Sequence, residues 1–217
     1  DIYTTDPNVI LQRIAHAEFV ATCTAYNAKF LRDLAPQYAD RIHLIYHGID
    51  VKNFSPAPRS LAQDNPLILA IGRFKKKKGF DLLIDACSML IKQGVSLRCE
   101  IIGYGEQKMQ LEAQIRTFGI ADSVVIRDPV DHSELAAILR GASLFVLPCR
   151  IPEDGDRDGI PNSLLEAMAC GTPVVAMANT ATPEIVQGGG VLVEEPVATP
   201  GERSSGPERL AEACVDL

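Results

Sequence analysis

Residues 158–171 read Asp-Gly-Ile-Pro-Asn-Ser-Leu-Leu-Glu-Ala-Met-Ala-Cys-Gly, and residues 172–178 continue as Thr-Pro-Val-Val-Ala-Met-Ala. This stretch predicts a loop, a short apolar helix and then a buried strand. Pro161 suits the first helical turn, where its missing N–H would have had no partner, and Gly171 suits a left-handed C-terminal cap. We therefore expect the helix to lie between these two residues.

The predicted helix is apolar except for an acidic side chain in its middle. Glu166 lies among leucine, alanine and methionine, and Asp158 stands in the loop that leads into the helix. A carboxylate in apolar surroundings costs free energy unless it is paired or faces a ligand. N–H groups at a helix start also favour an oxygen-rich or anionic ligand. Two interpretations of Glu166 stay open at this point, a ligand contact and the cap of a nearby turn.

Apolar strands alternate with helices before this stretch, and the alternation continues into it. The strands are predicted at 67–72, 97–103, 124–127, 144–148 and 173–178, with helices at 80–93, 106–118 and 133–140 between them. This alternation is typical of a mainly parallel sheet that is covered on both faces. The predicted fold class is therefore α/β, a Rossmann-like doubly wound sheet, in which ligands bind at the carboxyl ends of the strands.

The regular alternation begins only after a break at residues 47–60. His47-Gly-Ile-Asp50 and Phe54-Ser-Pro-Ala-Pro58 lack periodicity and contain glycine and prolines, which indicates a linker. We predict the tail of an N-terminal domain at 1–47, a linker at 48–60 and a Rossmann-like domain at 61–217, with a mobile loop at 194–207. Because the sequence starts without Met and stops inside a predicted helix, we expect it to be part of a longer protein.

The overall composition excludes several classes of protein. The chain has 217 residues, of which 47% are hydrophobic, and its formal net charge is −7. This charge does not favour general binding to nucleic acid or to an anionic membrane. The six cysteines show no CxxC spacing, which argues against a zinc site or a disulfide scaffold. No apolar run is long enough to span a membrane, so we expect a cytoplasmic protein that is at most membrane-peripheral.

A basic segment, Gly72-Arg-Phe-Lys-Lys-Lys-Lys-Gly79, follows the first strand of the predicted domain. Guanidinium and ammonium groups at the end of a strand suit a diphosphate, and Arg73 and Lys78 are the best placed. Lys75, Lys76 and Lys77 are interpreted as a solvated turn. The segment is not a Walker A loop, because Gly79 is followed by Phe and Asp instead of Lys and Ser or Thr.

Other motifs are weaker. Gly103-Tyr-Gly105 begins a dinucleotide fingerprint, but Lys108 occupies the place of its third glycine, which leaves a nicotinamide-dependent enzyme as a weak alternative. The acidic loop 153–158 lacks the ligand pattern of a calcium loop, and we expect a substrate-facing lid there. The four histidines form no metal-binding motif and are expected to be structural or exposed.

The combination of motifs resembles the group 1, or family 4, retaining glycosyltransferases, with the 158–175 stretch preceded by Gly72-Arg73, Lys78-Gly79 and His47-Gly-Ile-Asp50. The resemblance covers about residues 40–193. It implies the two-domain GT-B fold, in which a C-terminal Rossmann-like half binds most of a nucleotide-sugar donor. Residues 1–47 would then end an N-terminal acceptor domain, and residues 61–217 would form the donor domain.

The resemblance also implies roles for individual residues. Arg73 and Lys78 would hold the donor diphosphate, and Glu166 would accept hydrogen bonds from the ribose hydroxyls. Asp158 would contact the donor sugar at a position where the family usually has Glu. The other substrate-binding positions implied are Gly72, Gly103, Gly105, Val130, Gly159, Ile160, Pro161, Asn162 and Leu165. No metal and no cofactor are required, because the two cations would stabilise the leaving group.

The implied function is that of a hexosyltransferase, which transfers a sugar with retention to a glycan or lipid-linked acceptor in polysaccharide or glycolipid biosynthesis. The acceptor site belongs to the N-terminal domain, so we expect this chain to bind donor but to transfer poorly or not at all. Peripheral membrane association of the full-length protein is also expected, and a nucleic-acid partner is not. The alternatives are a non-catalytic nucleotide-sugar-binding module, an NAD-type Rossmann enzyme and a phosphorylase with lysine-bound pyridoxal phosphate.

Overall fold

The computed structural model describes residues 2–58, 65–194 and 206–215. Its first part is a small unit built on two parallel strands, with Val20 beside Ile42 in the register. Apolar side chains from both helices and from the second strand form its core. The elements are α1 (Pro7–His16), β1 (Val20–Thr22), α2 (Ala25–Leu34), a 3₁₀ helix (Pro36–Arg41) and β2 (Ile42–Leu44).

The larger part contains a six-stranded sheet in which all neighbouring strands are parallel. The strand order is β5-β4-β3-β6-β7-β8, so the direction of winding reverses between β3 and β6. The predicted Rossmann-like, doubly wound sheet is therefore confirmed. Its strands are β3 (Leu67–Ile71), β4 (Arg98–Ile102), β5 (Val124–Arg127), β6 (Leu144–Leu147), β7 (Val174–Met177) and β8 (Val191–Val193).

Helices cover both faces of this sheet. On one face α3 (Phe80–Lys92), α4 (Lys108–Phe118) and α8 (Gly206–Val215) pack in one apolar cluster. On the other face α5 (His132–Gly141), α6 (Asn162–Ala169) and α7 (Thr182–Val186) pack in a second cluster. Successive residues of a strand point to opposite faces, and strands β3, β6 and β7 are therefore apolar throughout rather than alternating. In β6, for example, Phe145 joins the second cluster and Val146 the first.

The predicted ends of α6 are confirmed at its C-terminus and shifted at its N-terminus. Gly171 has φ +72°, and its N–H donates to Met168 O, while Thr172 N–H donates to Ala167 O, both at 3.0 Å. This pair of bonds is the Schellman motif, which needs a residue in the left-handed region. Pro161 lies one residue before the helix, at its N-cap, and not in the first turn as predicted.

Several features lie outside the predictions. Helix α7 and strand β8 are short and were not predicted. Most of the predicted mobile loop at 194–207 lies outside the described residues. The proposed boundaries at residues 47 and 60 fall between the two sheets, and they stay predictions. Among the described residues, no helix is both long and apolar enough to span a membrane.

Candidate functional site

The loops that follow β3 and β6 meet at the point where the strand order reverses. This is where ligands bind in doubly wound sheets. Residues 72–79 leave β3 and contain a single turn of 3₁₀ helix at Lys76–Lys78. A Cβ on Gly79 would lie only 1.9 Å from Pro148 O, directly after β6, and the φ of Gly79 is +65°. Glycine is required at this position because the two loops approach so closely.

Two buried lysines connect these loops. Lys78 Nζ lies 2.7 Å from Asp158 Oδ2, and Lys77 Nζ lies 3.4 Å from Asp158 Oδ1 and 2.8 Å from Asp156 Oδ1. Lys77 is 8% exposed and Lys78 is 9% exposed. Lys78 and Asp158, two of the predicted site residues, are thus in direct contact. The interpretation of Lys77 as a solvated side chain is wrong, because it is buried and paired with two aspartates.

The electrostatics of this cluster favour an ionised Asp158. Burial, the largest single influence, raises the pKa of the Asp158 carboxyl, whereas the charge and hydrogen bond of Lys78 lower it. Lys77 and the Cys149 thiol, which donates to Asp158 Oδ2 across 3.4 Å, act in the same direction. The net effect is a pKa below the ordinary value. Burial raises the pKa of Cys149, so this thiol stays protonated and can donate.

A cavity of about 210 Å³ opens beside β3 and β4 and brings together several predicted residues. Gly72, Arg73, Gly103 and Val130 line it, with Tyr104 and apolar side chains nearby. Arg73 is exposed. Among the described residues, its guanidinium makes no ion pair or hydrogen bond. A free cation at the mouth of a cavity that follows a strand suits an anionic ligand.

The two glycines after β4 are required by the backbone of the neighbouring loop. A Cβ on Gly103 would lie 1.9 Å from Gly72 O, and a Cβ on Gly105 would lie 2.6 Å from Phe74 O. The loops are also joined by a hydrogen bond from Phe74 N–H to Tyr104 O at 2.7 Å. Close approach of the neighbouring backbone therefore explains why both positions are glycine, independently of any contact with a ligand. The predicted roles of Gly103 and Gly105 in binding stay predictions.

Glu166 lies in a second cavity, of about 400 Å³. Asn162 and His132 share this cavity with segment 48–54. Burial raises the pKa of the Glu166 carboxyl, and the charge of His132 offsets part of the rise. The Glu166 carboxylate accepts no hydrogen bond from the described part of the chain, so it does not cap a turn. A half-buried carboxylate without a protein partner is well placed to accept hydrogen bonds from a ligand.

His132 was missed by the sequence reasoning. It is the first residue of α5, directly after the N-cap Asp131, and it lies in the Glu166 cavity. The available signal was its position just after β5, at the carboxyl edge of the sheet. A lone histidine without a metal-binding motif does not by itself reveal such a position.

Of the four remaining predicted residues, two line a third cavity and two do not. Gly159 and Ile160 line a cleft of about 650 Å³ between the loop that follows β6 and the small N-terminal unit. A Cβ on Gly159 would lie 3.6 Å from Asn27 Nδ2 of that unit. Pro161 is buried at the start of α6, Leu165 is half-buried, and neither lines the three cavities described above. Eight of the predicted residues therefore line three different cavities, whereas Lys78, Gly105, Asp158, Pro161 and Leu165 line none of the three.

The acidic loop is held from both sides. Arg157 Cζ lies 4.2 Å from the centre of the Tyr3 ring, and Arg157 Nη1 donates to Tyr26 Oη at 3.0 Å. Nearby, Glu184 Oε2 accepts a hydrogen bond of 2.9 Å from Ala25 N–H at the start of α2. The small unit and the Rossmann-like part are therefore joined by polar contacts across the cleft. The description of residues 153–158 as a substrate-facing lid stays a prediction.

Metal binding finds no support in the geometry of the described residues. No group of three or more His, Cys, Asp or Glu side chains among them is arranged to hold an ion. Asp156 and Asp158 of the acidic loop each form an ion pair with a lysine. The prediction that the chemistry requires no metal stays a prediction.

Comparison with known proteins decides the family. The family model described as "Glycosyl transferases group 1" matches residues 65–217. The chain belongs to the group 1 glycosyltransferases. The predicted resemblance is thereby confirmed, and the family assignment does not favour a nicotinamide-dependent enzyme.

One curated relative agrees with this assignment, and two solved structures share the fold. The amylovoran biosynthesis glycosyltransferase AmsK of Erwinia amylovora is 34% identical over 149 residues, which cover 69% of this chain and 37% of AmsK. Sucrose-phosphate synthase from Thermosynechococcus elongatus has a TM-score of 0.76 at 23% identity, over all of this chain and 53% of that one. HepE of Anabaena, solved with UDP and glucose, has a TM-score of 0.71 at 22% identity, over 96% of this chain and 56% of HepE. The chain thus spans little more than a third of AmsK.

Proposed function

We propose that this protein binds a nucleoside diphosphate sugar at the carboxyl edge of the sheet. The observation that carries the proposal is the cavity after β3 and β4, where the guanidinium of Arg73 has no partner among the described residues. Lys78 approaches from the same loop, since a Cβ on Gly72 would lie 3.3 Å from Lys78 Cε. These two cations would contact the diphosphate. The complex of HepE with UDP and glucose supports the same class of ligand.

The base and the ribose would occupy the space between the two smaller cavities. Val130 and Leu135 offer apolar contacts for a planar base beside Gly103. Glu166 would accept hydrogen bonds from the ribose hydroxyls, because its carboxylate lies in a cavity with His132 and has no hydrogen-bond partner among the described residues. An ionised carboxylate is a strong acceptor for two neighbouring hydroxyls.

In the complete enzyme, the sugar would be transferred to a glycan or lipid-linked acceptor with retention of configuration. The bond between the anomeric carbon and the diphosphate breaks, and negative charge develops on the departing phosphate oxygen. Arg73 and Lys78 would stabilise this charge more strongly in the transition state than in the ground state, which is the condition for catalysis. Asp158 would contact the sugar, and Gly159 would leave space for it beside Asn27.

The N-terminal part of such an enzyme would carry the acceptor. This chain contains only a small unit before the Rossmann-like sheet, so we propose that it binds donor without efficient transfer. Turnover of a nucleotide sugar by the 217-residue chain with any glycan or lipid acceptor would contradict this part of the proposal. A non-catalytic binding module would remain inactive when the chain is joined to the amino-terminal half of a relative.

Calorimetric titration tests the proposal. UDP, GDP and ADP are each compared with the corresponding monophosphate and with a sugar conjugate. We expect one nucleoside diphosphate to bind at a single site, and its monophosphate to bind more weakly because one phosphate contact is lost. Saturable binding of NAD together with indifference to all three diphosphates would contradict the proposal.

A further inference from the structure

Lys77 is a buried cation that the proposed chemistry does not use. Its ammonium contacts three consecutive residues of the acidic loop, namely Asp156 Oδ1 at 2.8 Å, Asp158 Oδ1 at 3.4 Å and the carbonyl oxygen of Arg157 at 3.4 Å. The contact joins the turn after β3 to residues about 80 positions later. A buried ammonium is tolerated only when its donors are used in this way.

The two carboxylate oxygens of Asp158 contact different lysines. Oδ2 faces Lys78 at 2.7 Å, whereas Oδ1 faces Lys77 at 3.4 Å. The four side chains Lys77, Lys78, Asp156 and Asp158 sum to zero formal charge. If Lys78 turns to an anionic ligand, Asp158 keeps one cationic partner on its other oxygen. Without Lys77, the same turn would leave the buried Asp158 carboxylate with no cationic partner among the described residues.

The turn that carries Lys77 is itself fixed to the loop after β6. Arg150 N–H donates to Lys77 O at 2.9 Å, and Arg150 Nε donates to Lys76 O at 3.0 Å. Arg150 Nη2 also pairs with Asp81 Oδ2 at 2.8 Å, at the start of α3. The backbone of Lys77 is therefore held in place, and its side chain can act as a rigid support.

We propose that Lys77 is a positioning residue for the donor site, which holds Asp156 and Asp158 in place while Lys78 binds the diphosphate. The inference rests on the proposed function, since it gives Lys77 a part in the binding of the same ligand. Lys77 would not touch the ligand. Its effect on binding would pass through Asp158, which is the property that distinguishes it from Arg73 and Lys78.

Three variants test this proposal in the 217-residue chain, with whichever of UDP, GDP and ADP the wild-type chain binds most tightly. Lys77→Met removes the charge at similar length, Lys77→Arg keeps it, and Lys76→Met changes an exposed neighbour in the same turn. We expect Lys77→Met to weaken binding by about tenfold, because contacting charged groups couple by this order. Lys77→Arg should restore most of the affinity, and Lys76→Met should bind within twofold of wild type.

A double-mutant cycle shows whether Lys77 acts through Asp158. In an Asp158→Asn background, Lys77→Met should change the affinity by less than twofold. A loss of the same size in both backgrounds would mean that Lys77 acts on the ligand directly and would overturn the positioning role. If Lys77→Met does not fold, Asp156→Asn replaces it, because this variant removes the 2.8 Å contact from the other side. It should also weaken binding.

The outcomes separate the two proposals. Absence of binding by the wild-type chain would refute the proposed function, and the inference with it. Wild-type binding together with unchanged affinity in Lys77→Met, or in its replacement, would refute the inference alone.

Discussion

Replacement of Asp158 by Asn is expected to destabilise the fold through the two lysines it faces. After the substitution, Lys77 still forms its ion pair with Asp156, whereas Lys78 has no other carboxylate partner among the described residues. The loss of one partner from a buried ion pair costs about 3–5 kcal/mol. Because the amide oxygen of Asn can still accept one hydrogen bond, we expect the lower end, about 3 kcal/mol. In a chain of this size, that corresponds to a fall in Tm of about 6–12 °C.

Thermal unfolding followed by circular dichroism at pH 7 measures this loss. Glu153→Gln is the matched control, because it removes a charge from an exposed position of the same loop. We expect it to change Tm by less than about 2 °C, as is usual for surface substitutions. If Asp158→Asn lowers Tm no more than Glu153→Gln does, the cluster does not stabilise the fold and the reasoning is refuted.

The pH dependence of the same pair gives a second check. The pKa of Asp158 is lowered in the folded state from an ordinary value of 3.8. A carboxyl with a lowered folded pKa contributes stability above its unfolded pKa and loses it as the pH falls through the folded pKa. The difference in unfolding free energy between wild type and Asp158→Asn should therefore be constant from pH 8 to about pH 5 and should shrink below pH 3.8.

Two further substitutions have defined expectations. Gly79→Ala should lower the free energy of unfolding by about 3 kcal/mol or more, because the new Cβ overlaps Pro148 O in addition to the ~1–2 kcal/mol cost of an alanine in the left-handed region. Gly119→Ala measures the backbone cost alone, since Gly119 has φ +67° and no atom within 4 Å of an added Cβ. Both variants are compared by urea titration, and equal losses of stability would contradict the overlap. Glu166→Gln should weaken nucleotide-sugar binding about tenfold at pH 7.5. It should not lower Tm, because the pKa of Glu166 is raised in the folded state, and an ionised carboxyl with a raised folded pKa destabilises the fold above that pKa. Unchanged affinity in calorimetry would mean that Glu166 does not belong to the site.

Much of the fold could be predicted because its signals are local. Each strand of the large sheet except β7 is followed by a helix of at least eight residues. β7 is followed by α7 and then by β8, and both are too short to show a hydrophobic period. Gly171 could be assigned to a left-handed cap because the helix that it ends is apolar and well delimited. The start of α6 was predicted one residue too early, because Pro161 was assigned to the first turn, where proline is common, and it lies at the N-cap.

The site was harder to predict because its contacts are long-range. The run Lys75–Lys78 contains four identical side chains, and only the path of the chain decides which of them are buried. Lys77 and Lys78 meet Asp156 and Asp158 because the loop after β6 returns to the turn after β3. Sequence spacing could place both loops at the same edge of the sheet, but it could not pair individual side chains.

The geometry brings several of the predicted residues to cavities at the carboxyl edge of the sheet, and their role in binding a ligand is a proposal. Arg73, Gly72 and Val130 line one cavity, and Glu166 and Asn162 line the next. A nucleotide that spans both would explain why the predicted residues are divided between them. The lysine and aspartate cluster then supports the side of the site where the diphosphate and the sugar would lie.

The most direct test of the account is calorimetric titration of a nucleoside diphosphate into wild type, Arg73→Ala and Arg98→Ala at one fixed ionic strength. Arg98 is exposed at the amino end of β4, at the opposite edge of the sheet, and serves as the matched control. We predict that Arg73→Ala weakens binding by about tenfold to hundredfold, as expected for the loss of a charge-assisted contact. Arg98→Ala should bind within twofold of wild type. Equal affinities of all three proteins would contradict a diphosphate site at the carboxyl edge of the sheet.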